Sequence, residues 1–185
     1  MPPFEENFLN LFILSFALAF SVGAAFFDCK ERKIPNKYNL AFFIIAILLR
    51  IALFFIQPNY LYSGLIGGLI GFIIFFPLFV FRFGGAGDVK LLTVLGLLLG
   101  YKDFIWTFAF TTIFSGLYVL AKGAWIVILI LKTPSNSIEE KFELSFNYLK
   151  SFGKTPYALW TAIGSLSNLL LYIFWSNFKI LLENI

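Results

Sequence analysis

Histidine is absent from the 185 residues, and cysteine and methionine occur once each. The missing histidine excludes a Ser-His-Asp triad and an imidazole general base, and it removes most routes to a zinc or haem site. The single cysteine, Cys29, excludes disulfides within the chain. With no histidine to activate its thiol, Cys29 is read as structural or incidental and not as a nucleophile. Charge is also scarce: 13% of residues are Asp, Glu, Lys or Arg, against about 25% in an ordinary soluble domain. Only three aspartates are present, at positions 28, 88 and 103. No cleavable signal peptide is expected, because Glu5 and Glu6, not basic residues, precede the first apolar stretch and no small-residue cleavage site stands after it.

What fills the chain is apolar. Hydrophobic residues make up 60% of it, phenylalanine alone contributes 26, and the mean hydropathy is +0.88. A soluble fold of this composition would lack the polar surface to cover itself; a bilayer removes that requirement. The length suits a single membrane-embedded domain, 1–185. A spanning helix needs about 20 apolar residues, and six stretches approach that: 8–27, 38–56, 61–81, 88–100, 104–121 and 156–175. The expected fold is all-α, a polytopic bundle of about six transmembrane helices. The fourth stretch is short for a span. The fifth apolar run continues to position 131, so Lys122 and Gly123 are expected to mark its exit from the membrane, with 124–131 tilting, projecting or lying on the surface. Residues 133–151 mix Glu139, Glu140 and Glu143 with Phe142, Leu144, Phe146 and Leu149 and read as a loop with an amphipathic surface helix. Contact of the segment 132–151 with substrate or lipid headgroups is a further expectation.

Eleven of the fourteen Lys and Arg residues fall in the connections 29–37, 82–90 and 122–154, while Lys102, Lys179 and Arg50 fall on the other side or inside the second span. This bias places the first group of connections in the cytoplasm and both termini outside. Glycines cluster as small-xxx-small pairs at Gly64, Gly67, Gly68 and Gly71 in the third stretch and at Gly96 and Gly100 in the fourth, which predicts close backbone packing between those helices.

Two aspartates lie where a cytoplasmic connection meets a helix. Asp28 ends the first stretch and opens Asp28-Cys29-Lys30-Glu31-Arg32-Lys33-Ile34-Pro35-Asn36; Asp88 closes Gly84-Gly85-Ala86-Gly87 and begins the fourth. They stand 60 positions apart on one predicted face. Ionisable groups at membrane depth are costly and mark function. Two carboxylates sharing a proton divide hydrolysis between them: the ionised one deprotonates water, and the protonated one polarises the scissile carbonyl. Such a pair titrates as a unit and needs neither histidine nor metal. Gly85 and Gly87 are expected to supply unusual backbone angles and close approach of a substrate strand. The start of a helix favours the charge of Asp88. Lys90, two residues on, is expected to point to another face. Pro35 is expected in the first turn of the next helix, with Asn36 capping or bracing the loop. Asp103 is expected on the outer side, away from the pair.

These residues resemble the prepilin peptidase family of type IV leader peptidases, with archaeal preflagellin peptidases as relatives. Asp28 with Arg32, Ile34, Pro35 and Asn36 after it is similar to the family's first aspartate motif. Gly85-Ala86-Gly87-Asp88-Val89-Lys90-Leu91-Leu92, with Gly96 and Gly100, is similar to its GxGD signature, and 154–158 with Gly164 to the start of its last span. The resemblance implies a six-helix aspartyl endopeptidase of the cell membrane, acting at the cytoplasmic face. Asp28 and Asp88 would be catalytic, with Gly85, Gly87, Lys90, Pro35 and Asn36 in support. Its partners would be prepilin-like precursors, cut before a hydrophobic N-terminal helix, and the bilayer, with no nucleic acid, cofactor or metal. Bifunctional members also methylate the new N-terminus and carry a cytoplasmic loop with two CxxC pairs. One cysteine and a short lead into the first span imply a form without that zinc-binding loop and without methylation. Two alternatives stand beside this reading. A small transporter or channel would use Asp28 and Asp88 as proton or cation sites, but no inverted repeat is visible and both aspartates sit at one face instead of the midplane. A non-catalytic assembly factor would retain the fold alone.

Overall fold

The structure, a computed structural model, describes residues 3–81, 85–132 and 157–183. All regular elements among them are helical: α1 (Pro3–Glu31), α2 (Asn36–Phe54), α3 (Asn59–Val80), α4 (Ala86–Leu99), α5 (Tyr101–Lys132) and α6 (Tyr157–Glu183). In lipid a helix satisfies its own backbone groups, and the apolar runs fold accordingly. Five of the six are long and apolar enough to cross a membrane. Much of the outer surface is itself apolar, with Leu48, Leu69, Leu120 and Phe174 all exposed, as lipid-facing positions require.

The exception is α4. Its 14 residues span about 21 Å at 1.5 Å per residue, short of the roughly 30 Å hydrocarbon core. It solves this by lying inside the bundle: nine of its residues are buried, and it packs against each of the other five helices. The expected closeness of α3 and α4 is present. A Cβ placed on Gly96 would overlap the carbonyl of Gly67, and one on Gly71 would press on the carbonyl of Leu92. The two backbones therefore touch directly.

A short buried helix leaves its last carbonyls at membrane depth without partners. Arg50 supplies them. Its Nε donates to the Leu97 carbonyl (2.8 Å) and its Nη2 to the Leu98 carbonyl (2.7 Å), while Nη1 donates to the Tyr60 carbonyl at the start of α3 (2.9 Å). Arg50 is 1% exposed, so its charge is enclosed by protein. The chain turns next at Gly100, whose φ of 78° is in the left-handed region where glycine carries no Cβ penalty. Asp103 lies at this same end, in a polar cavity with Arg50, Tyr60, Ser63 and Lys102. That agrees with its expected distance from Asp28 and Asp88.

Past its expected exit, helix α5 goes on as a helix. It runs unbroken through Lys122 and Gly123 to Lys132. Lys122 stays on the helix with its Nζ 4.6 Å from the Tyr118 ring centroid, and a lone glycine does not end a helix whose hydrogen bonds are intact. The amphipathic segment expected over 133–151 lies outside the described residues, as do residues 154–156 of the last motif. The start of α1 and the later part of α6 meet at the Arg50 end, where the Tyr172 hydroxyl donates to Asn7 Oδ1 (3.1 Å).

Candidate active site

At the opposite end, four helix termini converge. Helix α1 passes through Asp28 and stops one turn later, so Asp28 is helical and not the first loop residue. The stop is made by Arg32, which adopts φ 54° and donates its N–H to the Asp28 carbonyl (3.0 Å). A side-chain-bearing residue in this left-handed region is uncommon and costs about 1 kcal/mol or more. Ile34 then turns back into the core. Pro35 precedes α2 as its cap, not as a residue of its first turn. Its carbonyl accepts from the N–H groups of Tyr38 (3.1 Å) and Asn39 (3.3 Å). The Tyr38 hydroxyl donates to the Phe20 carbonyl (2.7 Å), which ties α2 to α1 and holds the Asp28 end in place.

Helix α4 begins at Ala86, with Gly85 as its cap in an extended conformation (φ −85°). Asp88 is thus the third helical residue, and its Oδ2 accepts the N–H of Gly85 (3.0 Å). Helix α6 contributes its first turn: the Ala158 N–H donates to Asp28 Oδ2 (3.1 Å). Each carboxylate therefore meets the N-terminal end of a helix, Asp88 that of its own and Asp28 that of α6. Unpaired N–H groups and the helix dipole favour negative charge there.

Asp28 and Asp88 line one cavity of about 370 Å³, together with Arg32, Lys33, Ile34, Asn36, Gly85, Ala86, Gly87, Lys90 and Tyr157. Of the residues expected from sequence, the fold brings together both aspartates, both glycines, Asn36 and Lys90. Pro35 is not among the lining residues. Cys29 is exposed and outside the cavity.

Two expectations are corrected. Lys90 does not turn to another face; its long side chain crosses the mouth and donates to Asn36 Oδ1 (2.8 Å). Asn36 accordingly braces α2 against α4 and does not cap its own helix. Gly85 and Gly87 adopt no left-handed angles; Gly100 alone does among the described glycines. Their value is space. A Cβ on Gly85 would lie 3.3 Å from Asp88 Oδ2, whereas one on Gly87, among the described residues, would meet only Ile34, at 3.9 Å.

Sequence reasoning does not single out Tyr157. It lines the cavity within electrostatic reach of Asp88, and its ring packs on Phe75 with centroids 5.2 Å apart. The available signal was a phenol at the head of an apolar stretch. The Ala158 donor carried no signal of its own, since it is a backbone group.

Against known proteins, no curated protein and no solved structure matches the chain. The model of the type IV leader peptidase family matches residues 11–120, more than half of the chain, including both aspartates and the glycine turn before Asp88. By that match, the chain belongs to the type IV leader peptidase family.

Proposed function

We propose that this chain is an aspartyl endopeptidase of the cell membrane that removes the basic leader of type IV prepilins, pseudopilins or archaellin-like precursors, with Asp28 and Asp88 as its catalytic pair. Family membership and five membrane-length helices support a membrane leader peptidase. The observation that carries the mechanism is the shared cavity: two carboxylates from α1 and α4, 60 positions apart, open onto one space. The ionised carboxylate takes a proton from a water molecule, whose oxygen attacks the scissile carbonyl carbon. The protonated carboxylate donates a hydrogen bond to the carbonyl oxygen as charge develops there. The proton then passes to the amine nitrogen as the C–N bond breaks. Gly85 and Gly87 keep the approach to Asp88 open, and the Lys90–Asn36 bond holds the α2 and α4 walls together. Neither metal nor cofactor enters these steps.

The concentration of Lys and Arg in the connections at the cavity end supports a cytoplasmic active site. These 185 residues hold one cysteine and cannot form the four-thiolate zinc loop of bifunctional members, which supports peptide hydrolysis without methyl transfer. The test is cleavage of a prepilin-like precursor by liposome-embedded protein, with mass analysis of the new N-terminus. Asp28→Asn and Asp88→Asn should each lower the rate by at least about 100-fold. Wild-type cleavage by either variant overturns the pair mechanism, and a methylated product overturns the hydrolysis-only reading.

A further inference from the structure

A second hollow begins where the aspartate cavity ends. It has a volume of about 490 Å³, shares Asn36, Ala86 and Lys90 with that cavity, and is otherwise mostly apolar. Its α4 wall is Ala86, Val89, Lys90, Thr93 and Val94, one face of the helix at a spacing of three and four. From Ala86 to Val94 the wall descends about 12 Å along the α4 axis. Phenylalanines of α2 and α3, among them Phe43 and Phe76, form the facing walls. The result is a groove that starts beside Asp88 and runs along the helices, not across them.

One lining residue does not belong in such a groove. Asn39 is 3% exposed, and neither its Nδ2 nor its Oδ1 has a hydrogen-bond partner among the described residues. Leaving a buried amide unmade is unfavourable on both its donor and its acceptor side. The apolar lining around Asn39 offers it nothing, and a lipid chain would not either. An N–H donor beside a carbonyl acceptor matches a peptide group.

The aspartate cavity cannot itself select a basic leader by charge. Arg32, Lys33 and Lys90 stand around its two carboxylates, so its lining does not favour a basic segment, and the adjoining groove offers a second hold on the precursor, beyond the scissile bond. We infer that this groove between α2, α3 and α4 seats the apolar segment of the precursor immediately after the cut, with the Asn39 amide pairing with a peptide group of that segment. The inference rests on the proposed leader-peptidase function. Its physical basis is that a scissile bond must be drawn out of helical structure to be attacked. The freed backbone N–H and C=O groups then lie at membrane depth, where each needs a partner.

The experiment uses the full chain in liposomes and a synthetic precursor in which a short basic leader precedes an apolar stretch of membrane length. Phe76→benzoylphenylalanine is introduced together with Asp88→Asn, so that bound precursor is not consumed. Irradiation should yield an adduct of chain and precursor, mapped by mass spectrometry to the residues just after the cleavage point. Lipid adducts alone overturn the proposal. In the active chain, Asn39→Leu fills the same space and removes the unmet amide. It should leave thermal stability equal or higher and raise KM for the precursor about tenfold, as expected for one or two lost hydrogen bonds, with kcat changed far less. An unchanged KM overturns the role of Asn39. Should Asp88→Asn alone still cut, the catalytic reading fails, while the cross-link still reports on the groove; the two failures are therefore separable.

Discussion

The Asp28 carboxylate accepts a hydrogen bond from the backbone N–H of Ala158, 3.1 Å away and 130 positions along the chain. This contact joins the end of α1 to the start of α6 and gives Asp28 a structural duty besides any chemical one. The two duties separate by substitution. Asp28→Asn keeps an oxygen that accepts from Ala158, so thermal stability in detergent should stay within about 0.5 kcal/mol of the parent while cleavage is lost. Asp28→Ala leaves that helix-end donor without its acceptor and should cost about 1 kcal/mol more. Equal stability of the two variants would show that the Ala158 bond contributes nothing.

Arg50 is the anchor of the short helix. Removing it strands the carbonyls of Leu97 and Leu98 in a buried place and cuts the tie to the Tyr60 carbonyl of α3. Each unsatisfied group costs about 1–3 kcal/mol. Arg50→Met should therefore lower stability by several kcal/mol, read as a large drop in melting temperature. Arg50→Lys should rescue little, since one ammonium does not reproduce a planar fork aimed at three acceptors.

Two glycines in helices should behave oppositely. Gly96→Ala places a methyl group against the Gly67 backbone and forces α3 and α4 apart. A loss of about 1–3 kcal/mol is expected from such overpacking. Gly123→Ala meets nothing within 4 Å among the described residues and should be neutral or raise stability by up to about 1 kcal/mol. Thermal unfolding of the pair under one condition checks both signs.

Tyr157→Phe retains the ring packed on Phe75 and deletes only the hydroxyl beside Asp88. Stability should hold, and kcat/KM for a precursor should fall about two- to tenfold, the worth of one hydrogen bond. An unaltered kcat/KM would leave Tyr157 as a packing residue.

Several of these features were legible in the sequence because they depend on neighbours along the chain. Hydropathy and length alone required a bundle of membrane helices. The spacing of Gly64, Gly67, Gly68, Gly71 and Gly96 announced the contact of α3 with α4. Asp28 and Asp88 stood out as rare charges at the edges of apolar runs. What joined them was decided by the closure of the chain. The cavity draws residues from α1, α2, α4 and α6, and no local pattern pairs position 28 with 88 or with the backbone of 158. Arg50 by sequence is a charge of uncertain depth; the end of α4, packed against it, fills its hydrogen bonds. Lys90 changed face because a flexible four-carbon stem reaches across a mouth that only the packed helices create. Asn39 in the sequence is one polar residue in an apolar helix; only the packing around it reveals that nothing among the described residues satisfies its amide.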